Sequence, residues 1–446
     1  MTLRQRLALR LYRAVWYPAL PFVRAYFRRR GRKDPAYLEH MEERFGQGAP
    51  FGATVWVHAV SLGELRSAVP LIRAFLDRGE RVLITHLTPA GRRGSEAAFG
   101  PEIAAGDVAV RYLPLELAGA WRRFFGNYRP RLGLAMEIEI WPVMIDEARL
   151  AGVPLWLANS QIPERSFARA RRWLPWIGHP VRGVAGVLAK SRIMAERFRA
   201  LGAPNVHVVG ELRFDQPIPA RLTEAAARLL ATPEGAVLRG RHVVALASVV
   251  EGEDEQYLAA YRLVQERFRA AGRVPPLFIH IPRAPERFGQ VGDMLEASGQ
   301  RVLRRSHAFD ADLALADPRL AEADILLGDS LGEMYFYLAL SDLAVVGGGY
   351  VEKGAHNVIE PLALRKPVLV GPHVWTIEYP GREAEAAGVL RICPTIPDLA
   401  QVMGDLLLDP AALAAISGRT ESFFADHSGA TARSMAILEP LLDTTP

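Results

Sequence analysis

The sequence lacks several features that would place it in common classes of protein. A single cysteine, Cys393, excludes an internal disulfide, so nothing in the chain requires an oxidising compartment, and we expect a cytosolic location. The net charge of +5 is typical of proteins that bind nucleic acid, a membrane surface or anionic small molecules. Neither a zinc-type Cys/His spacing nor an RNP motif occurs, so nucleic acid explains this charge less well than the other two partners. No G-x-S-x-G surrounds Ser160 or Ser166, which argues against a serine hydrolase.

An uninterrupted apolar run of transmembrane length is also missing. Residues 7–27 are rich in aliphatic and aromatic side chains, but arginines and prolines break the run, whereas a spanning helix needs about 20 mainly apolar residues. No small-residue cleavage site follows, so the segment is not a clean signal peptide. The aromatic residues, mixed with arginine and followed by the basic run at 28–33, predict a helix lying on an anionic membrane surface. The alternative is a surface helix that covers the first domain.

From about residue 52, short apolar runs alternate with amphipathic helical stretches. The first series of predicted strands comprises 54–60, 81–87, 108–112, 131–137, 154–159, 186–190 and 206–209. After the turn-rich segment 210–219, the second series comprises 242–248, 276–281, 301–304, 325–328, 343–347, 367–370 and 389–393. Such βαβ alternation predicts parallel sheets with helices on both faces.

A chain of 446 residues exceeds what one hydrophobic core usually organises, so two domains are expected. We predict an α/β protein with a membrane-associated helical segment at 1–50, a Rossmann-like acceptor domain at 51–215 and a Rossmann-like nucleotide-sugar domain at 216–446. The last helices are free to pack back on the first domain. Two doubly wound domains facing a central cleft form the GT-B arrangement of many nucleotide-sugar transferases.

Three carboxylates follow predicted strands of the first half. Glu64 belongs to the first turn of a helix, where the helix dipole is expected to lower its pKa and keep it ionised as a base. Glu137 and Glu139 follow the strand at 131–137 and are candidates for orienting an acceptor hydroxyl. The alternative for all three is a purely structural charge at a helix start, combined with surface solvation for Glu137 and Glu139.

Glycine-rich and basic loops follow strands of the second half. Three glycines at 347–349 allow close approach of a phosphate, with Gly348 and Gly349 as its amide donors, although no G-K-[ST] follows. His356 is a candidate phosphate donor or a loop stabiliser, and Glu360 either binds a ribose or caps a helix with Asn357 as N-cap. Arg283 is expected to fork onto a phosphate or carboxylate. No DxD-like carboxylate pair stands out, so we predict a site without metal and no cofactor.

The order and spacing of these motifs over nearly the whole chain resemble the Kdo (3-deoxy-D-manno-octulosonic acid) transferase family. The matching motifs are G-R-K at 31–33, E-R-F-G at 43–46, S-L-G-E at 61–64, E-I-E-I-W-P at 137–142, E-R-S at 164–166, G-E-L-R-F-D at 210–215, P-R-A-P-E-R-F at 282–288, G-D-S-L-G-E at 328–333, H-N-V-I-E-P at 356–361, K-P-V at 366–368 and G-P-H at 371–373.

The resemblance implies an inverting, metal-independent GT-B enzyme on the cytoplasmic face of the inner membrane. Such an enzyme transfers Kdo from CMP-Kdo to a lipid A precursor. It further implies Glu64 as the catalytic base and Glu137 or Glu139 as its acceptor-side partner. The nucleotide-sugar residues it implies are Ser248, Pro282, Arg283, Gly332, Glu333, Gly348, Gly349, His356, Asn357 and Glu360.

The sequence departs from the family pattern at several positions. Val249 and Val250 replace a hydroxyl and an imidazole, Ala284 replaces a histidine, and Thr376 stands where an asparagine is expected. Losing such polar contacts, each typically about 0.5–1.5 kcal/mol, weakens donor binding or signals a different donor or acceptor. Two alternatives to Kdo transfer therefore stay open: a related transferase for another acidic activated sugar or acceptor, and a non-catalytic membrane-bound protein.

Overall fold

Each half of the chain builds one parallel seven-stranded sheet, as the alternation of apolar runs and helices predicts. The computed structural model describes residues 3–443 apart from Glu234, Ala236, Val237 and Arg239. It divides into two units, the first comprising Met1–Gln216 with His427–Pro446 and the second comprising Pro217–Asp426.

The sheet of the first unit has the order β3-β2-β1-β4-β5-β6-β7. Its strands are β1 Val55–His58, β2 Val82–His86, β3 Val108–Tyr112, β4 Leu132–Met136, β5 Leu155–Ser160, β6 Gly186–Ala189 and β7 Val206–Val208. Its helices include Leu3–Gly31, Leu62–Asp77, Pro89–Ala98, Gly100–Ala105, Ala118–Tyr128, Pro142–Leu150, Glu164–Ile177, Arg192–Ala200 and, near the end of the chain, Ala430–Asp443.

The sheet of the second unit has the order β10-β11-β9-β8-β12-β13-β14. Its strands are β8 Val243–Val249, β9 Leu277–Pro282, β10 Val302–Arg304, β11 Ile325–Leu327, β12 Leu343–Val346, β13 Val368–Val370 and β14 Leu390–Ile392. Helices of this half of the chain include Ala220–Ala231, Asp254–Ala270, Phe288–Ala297, Arg305–Ala308, Met334–Leu340, Ile359–Ala363, Glu378–Ala386, Ile396–Leu408 and Pro410–His427.

Apolar layers cover both faces of each sheet, which is why the strands appear as continuous apolar runs in the sequence. Every residue of β1, β2, β4, β5 and β6 is buried. Along β1, Trp56 packs with Trp121 and Phe124 on one face, and Val55 and Val57 belong to the cluster on the other. The strands are thereby fixed in register, and their carboxyl ends form a defined edge.

The strand order reverses once in each sheet. In the first sheet β1 lies between β2 and β4, and in the second β8 lies between β9 and β12. Loops leaving the two central strands diverge at such a point and open a crevice at the carboxyl ends, where ligands of doubly wound sheets bind. The residues that follow β1 and β4, and those that follow β8 and β12, therefore lie where a ligand of each sheet is expected.

The N-terminal helix Leu3–Gly31 packs against the first unit although it contains Pro18 and Pro21. Arg13 pairs with Asp146 and Glu147, at 2.7 Å each. Farther along, Phe27 is buried in a small apolar cluster that contains Leu115, Leu117 and Ala120. The helix thus has one docked side, and much of the remainder faces solvent.

Within the described part of the chain, no single helix has both the length and the apolar content of a membrane span. One sharply bent pair, Ile396–Leu408 together with 410–443, reaches the required length and composition only when its members are taken jointly.

Candidate functional site

The reversal point of the first sheet carries two of the predicted carboxylates. Glu64 lies in the first turn of helix Leu62–Asp77, directly after β1, and its Oε2 accepts a hydrogen bond from the Val60 amide at 2.7 Å. Glu139 follows β4 and keeps 16% of its side-chain surface exposed. Since β1 and β4 are neighbours, the two carboxylates share one edge of the sheet, as the sequence predicts.

The pKa of Glu64 is not lowered by the helix start, as the sequence led us to expect, but raised to about 7. Partial burial is the main cause, and the charges of Glu139 and Glu137 add to it. The hydrogen bond from Val60 and the more distant Lys190 oppose the shift but do not cancel it. A carboxylate with a pKa near neutrality is well matched to accepting a proton from a hydroxyl, because it is ionised yet basic.

Glu139 is held by a tryptophan and lies near a buried, neutral histidine. Its Oε2 accepts a hydrogen bond from the Trp141 indole and lies 3.9 Å from Nε2 of the fully buried His58. Nδ1 of His58 contacts the Thr85 carbonyl at 3.0 Å, which places the proton on Nδ1 and leaves the Nε2 lone pair facing Glu139. Burial lowers the pKa of His58 to about 3, so this imidazole is neutral, and burial also raises the pKa of Glu139.

Glu137 belongs to a buried ion network rather than to an open site. It is 8% exposed, and its backbone is in the left-handed region at φ 59°. One carboxylate oxygen accepts from Gln161 at 2.6 Å and the other from Lys190 at 3.0 Å. Lys190 also contacts Glu211 at 2.8 Å. Both oxygens of Glu137 are therefore engaged within the protein, whereas Glu139 keeps part of its side chain exposed.

Glu116 is a further buried carboxylate that supports this edge. It accepts hydrogen bonds from the amides of Val143 and Met144, at 2.8 and 2.9 Å, in the first turn of helix Pro142–Leu150. Burial raises its pKa to about 7 despite these bonds and despite a hydrogen bond from Tyr12 of the N-terminal helix. Glu116 thus fixes the start of the helix that directly follows Glu139 and Trp141.

In the second unit, the triple-glycine turn after β12 is filled from within. Glu253 accepts hydrogen bonds from the amides of Gly348 and Tyr350, at 2.7 and 3.0 Å. The assignment of the Gly348 amide to a phosphate is therefore wrong: a buried carboxylate already occupies it. The glycines serve close backbone packing instead, since Gly348 has φ 91° and a Cβ on Gly349 would lie 2.6 Å from the amide nitrogen of Gly371.

The remaining polar candidates of this unit surround the same reversal point. Ser248, the penultimate residue of β8, is in the left-handed region at φ 62°, and the exposed Arg283 follows Pro282, the last residue of β9. His356 follows β12, and its buried Nε2 has no hydrogen-bond partner among the described residues. Burial, together with the charges of Arg283 and Lys353, lowers the pKa of His356 to about 4, so its imidazole is neutral near pH 7.

Two further candidates have roles within the protein. Asn357 accepts from the Ile359 amide at 3.0 Å, so its side chain makes the predicted capping interaction, although Val358 stands at the N-cap of the short helix Ile359–Ala363. Glu360 is the acidic residue of the first turn of this helix. Partial desolvation lowers the pKa of the Arg283 guanidinium, although much of that side chain is exposed, and the charge of Glu360 opposes the shift.

Both carboxylate oxygens of Glu333 accept hydrogen bonds from within the protein. Arg305 donates to its two carboxylate oxygens at 2.6 and 2.7 Å, a bidentate pair that holds the loop before helix Met334–Leu340. Gly332, immediately before it, is exposed and has φ 80°, and no heavy atom lies within 4 Å of the position that a Cβ would occupy. Across the described residues, no three or more His, Cys, Asp or Glu side chains gather closely enough to hold a metal ion.

The positions that depart from the family pattern are mostly packed into the protein. Val249 is fully buried within a core cluster of the second unit, and Val250 is 5% exposed. The Val250 amide donates to Glu253 at 3.2 Å, so it helps to fix the glycine turn. Thr376 donates to the Ala355 carbonyl. These residues support the loops of the site through packing and backbone contacts.

Sequence reasoning missed several residues that hold the two reversal points in shape. His58 and Lys190 had a signal, because each is a polar residue at the end of an otherwise apolar run. Glu211 lies in the G-E-L-R-F-D motif, but nothing there indicated its partner Lys190. Glu116 and Glu253 had no signal, because their partners lie far away along the chain: 95 residues separate Glu253 from Gly348.

Residues 39–216 match the family model described as 3-Deoxy-D-manno-octulosonic-acid transferase (kdotransferase). The chain is 38% identical to the 3-deoxy-D-manno-octulosonic acid transferase of Bordetella pertussis, over 95% of this chain and 96% of that protein. It is 28% identical to the protein of the same name from Haemophilus influenzae, over 92% and 93% of the two chains.

Solved structures also share the fold. A glycosyltransferase from Rickettsia africae aligns with a TM-score of 0.55 over 89% of this chain and all of that one, at 11% identity. That likeness, with the two parallel seven-stranded sheets, confirms the GT-B fold class predicted from the sequence.

Proposed function

This chain belongs to the Kdo transferase family, and is thus a glycosyltransferase; from that premise we propose that it transfers Kdo from CMP-Kdo to a lipid A precursor of the lipid IVA type in lipopolysaccharide core biosynthesis. The observation that carries the proposal is Glu64, a half-buried carboxylate with a pKa of about 7 at the reversal point of the first sheet. A base of this kind suits attack by a sugar hydroxyl, the reaction class of a glycosyltransferase.

In the proposed mechanism, Glu64 takes the proton of the acceptor hydroxyl while the oxygen of that hydroxyl attacks the anomeric carbon of Kdo. The new bond joins the acceptor oxygen to that carbon, and the bond between the carbon and the phosphate oxygen of CMP breaks. One displacement of this kind inverts the anomeric configuration. Glu139, held by Trp141, orients the acceptor.

CMP leaves with additional negative charge on its phosphate, which the second unit accommodates without a metal in this proposal. Arg283, exposed at the end of β9, is placed to pair with the phosphate, and the unpaired Nε2 of His356 is available as a hydrogen-bond donor. The Gly348 amide has no part in this step, because Glu253 occupies it.

Incubating the purified protein with CMP-Kdo and tetraacylated lipid A precursor should yield a lipid whose mass has increased by one or more Kdo residues. CMP-N-acetylneuraminate is the matched donor control, because it is another CMP-activated acidic sugar. Transfer from the control donor alone would contradict the choice of Kdo. No product from either donor, by a preparation that binds CMP, would favour the non-catalytic alternative. The mass increase also counts the sugars transferred.

We further propose that the protein acts at the cytoplasmic face of the inner membrane, with its N-terminal helix lying on the bilayer. Leu3, Leu7, Leu11 and Val15 form an exposed apolar stripe at four-residue spacing, and 56–76% of their surface is accessible. Trp173 and Trp176 are also more than 60% exposed on helix Glu164–Ile177, and Arg4 lies 5.9 Å from the Trp176 ring. Exposed apolar and aromatic side chains beside arginines are typical of interfacial helices.

The double variant Leu7→Glu/Leu11→Glu should lower partitioning onto vesicles containing anionic lipid by tenfold or more, because each leucine loses apolar burial worth about 1.5–3 kcal/mol when complete. Flotation of the full chain with such vesicles measures the effect. The matched control is Leu150→Glu/Leu263→Glu, which adds the same two charges at exposed leucines outside the stripe. Equal losses in the two double variants would contradict the proposed orientation.

A further inference from the structure

A groove of about 1130 Å³ lies within the first unit, along the side of the N-terminal helix that faces the sheet domain. Seven residues of that helix between Gln5 and Arg13 form one wall, and the other consists of Pro142, Ile145, Asp146, Arg149, Ile177, Gly178, His179, Pro180, Arg182 and Gly183. We call it the N-terminal groove. The exposed leucine stripe of the same helix points away from it, since Leu3, Leu7 and Leu11 do not line it.

The groove is strongly basic. Arg6, Arg10 and Arg13 follow one another at spacings of four and three residues, so they form one row on the helix surface. Arg149 and Arg182 come from the opposite wall. Asp146 is the one carboxylate among the described residues that line the groove.

The arginine row is only partly neutralised by the protein. Arg13 has carboxylate partners, whereas Arg6 and Arg10 have no ion-pair partner among the described residues. Like charges four residues apart on a helix repel each other. An anion in the groove would relieve that repulsion and would meet guanidinium groups from both walls, a geometry suited to phosphate.

The same groove has an apolar part. Leu9 contributes from the helix, and Ile145 and Ile177 contribute from the opposite wall. A free inorganic anion gains nothing from these side chains, whereas a ligand with an acyl or alkyl portion buries apolar surface against them.

We propose that the N-terminal groove binds the phosphate of an amphiphile, with Arg6, Arg10 and Arg182 around the phosphate and the apolar portion along Leu9, Ile145 and Ile177. Anionic phospholipids, whose headgroup phosphate is not neutralised by an attached cation, have this chemistry. The lipid acceptor of the proposed function carries phosphate as well, so the inference extends that function. Binding is measured without any sugar donor, which keeps its failure separate from a failure of transfer.

Titrating the full chain with monomeric dihexanoyl phosphatidic acid in a calorimeter tests the groove. We expect saturable binding of one ligand per chain, and at least tenfold weaker binding by Arg6→Glu/Arg10→Glu. Inorganic phosphate should bind at least tenfold more weakly than the amphiphile, and dihexanoyl phosphatidylcholine should show no saturable binding. Equal affinity for inorganic phosphate would contradict the proposal that the groove binds an amphiphile, and would show that it is an anion site only.

The chain supplies a matched control for the arginine pair. Arg24 and Arg28 have the same four-residue spacing about five turns farther along the same helix, are exposed, and do not line the groove. Arg24→Glu/Arg28→Glu should change the affinity less than threefold, and a loss equal to that of the groove pair would refute the assignment. Should the groove pair disturb folding, as judged by circular dichroism, Arg182→Glu tests the other wall, and unchanged binding by that variant would also refute it.

Discussion

Replacing Glu64 by glutamine should lower kcat for sugar transfer by about 10²–10⁴-fold, the usual contribution of a general base. Glutamine keeps the shape of the side chain and an oxygen that can accept from the Val60 amide, so the helix start is retained. What is lost is the ability to take the proton of the attacking hydroxyl. The measurement is the steady-state rate of product formation with both substrates saturating.

The control for Glu64 comes from the other end of the same helix. Glu80 follows helix Leu62–Asp77 and contacts Arg78, away from the carboxyl edge of the sheet. Glu80→Gln should leave kcat within about twofold of the parent protein. A Glu64→Gln variant that folds normally and transfers sugar at a near-parental rate would remove the assignment of the base, although the family would stand.

The raised pKa of Glu64 adds a signature that a structural role would not give. Because the base must be ionised, kcat/KM should fall as the pH drops below about 7, the value to which burial raises this pKa. Glu139→Gln removes one of the charges that raise the pKa of Glu64, so the acid limb should move to lower pH. An acid limb that persists unchanged in the residual activity of Glu64→Gln would assign it to another group.

The sheets were predictable because the strands are buried on both faces. Parallel strands covered by helices keep apolar residues at every position, and all fourteen predicted strands lie within two residues of those observed. The location of Glu64 and Glu139 followed from the same pattern, because residues after neighbouring parallel strands share one sheet edge. The polar residues at strand ends were thus readable from sequence.

The burial of individual side chains, and their partners from distant parts of the chain, could not be predicted from the sequence. The helix start at Leu62 suggested a lowered pKa for Glu64, but desolvation by neighbouring elements outweighs the helix field and reverses the direction. Likewise, the three glycines after β12 suggested a phosphate turn, and only the fold shows that Glu253, from the loop after β8, fills it. Local motifs give positions along the chain, whereas electrostatics depends on which segments meet.

Lys190, Glu137 and Glu211 come from separate segments of the chain and form a buried ion network. Breaking this network is expected to cause the largest change in stability. Lys190 is 2% exposed and joins Glu137 to Glu211, which is also 2% exposed. Replacing it by methionine keeps the packing but leaves two buried carboxylates without their main counter-charge. We expect a loss of about 3–5 kcal/mol in the free energy of unfolding, the usual cost of breaking a buried ion pair from one side.

Urea unfolding followed by circular dichroism measures this loss, because helices of both units contribute to the signal and the control lies in the second unit. Lys366→Met is the matched control: that lysine donates to the Ser341 carbonyl rather than to carboxylates, and about 1–3 kcal/mol is expected there. Equal losses at the two lysines would argue against a special role for the network.

The pH dependence of the Lys190→Met effect gives the more specific test. Burial opposes ionisation of Glu211, but in the parent protein the charges of Lys190 and Arg213 outweigh it and hold the pKa below its ordinary value. A depressed carboxylate pKa stabilises the fold above the unfolded pKa of about 4.3, and that stabilisation is lost as the pH falls through the folded value. Without the charge of Lys190, burial raises the pKa of Glu211 in the folded state, so protonation at lower pH relieves part of the variant's loss of stability. The stability difference between variant and parent should therefore shrink from pH 7 to pH 5, and a difference that grows over this range would show that Lys190 does not neutralise these carboxylates.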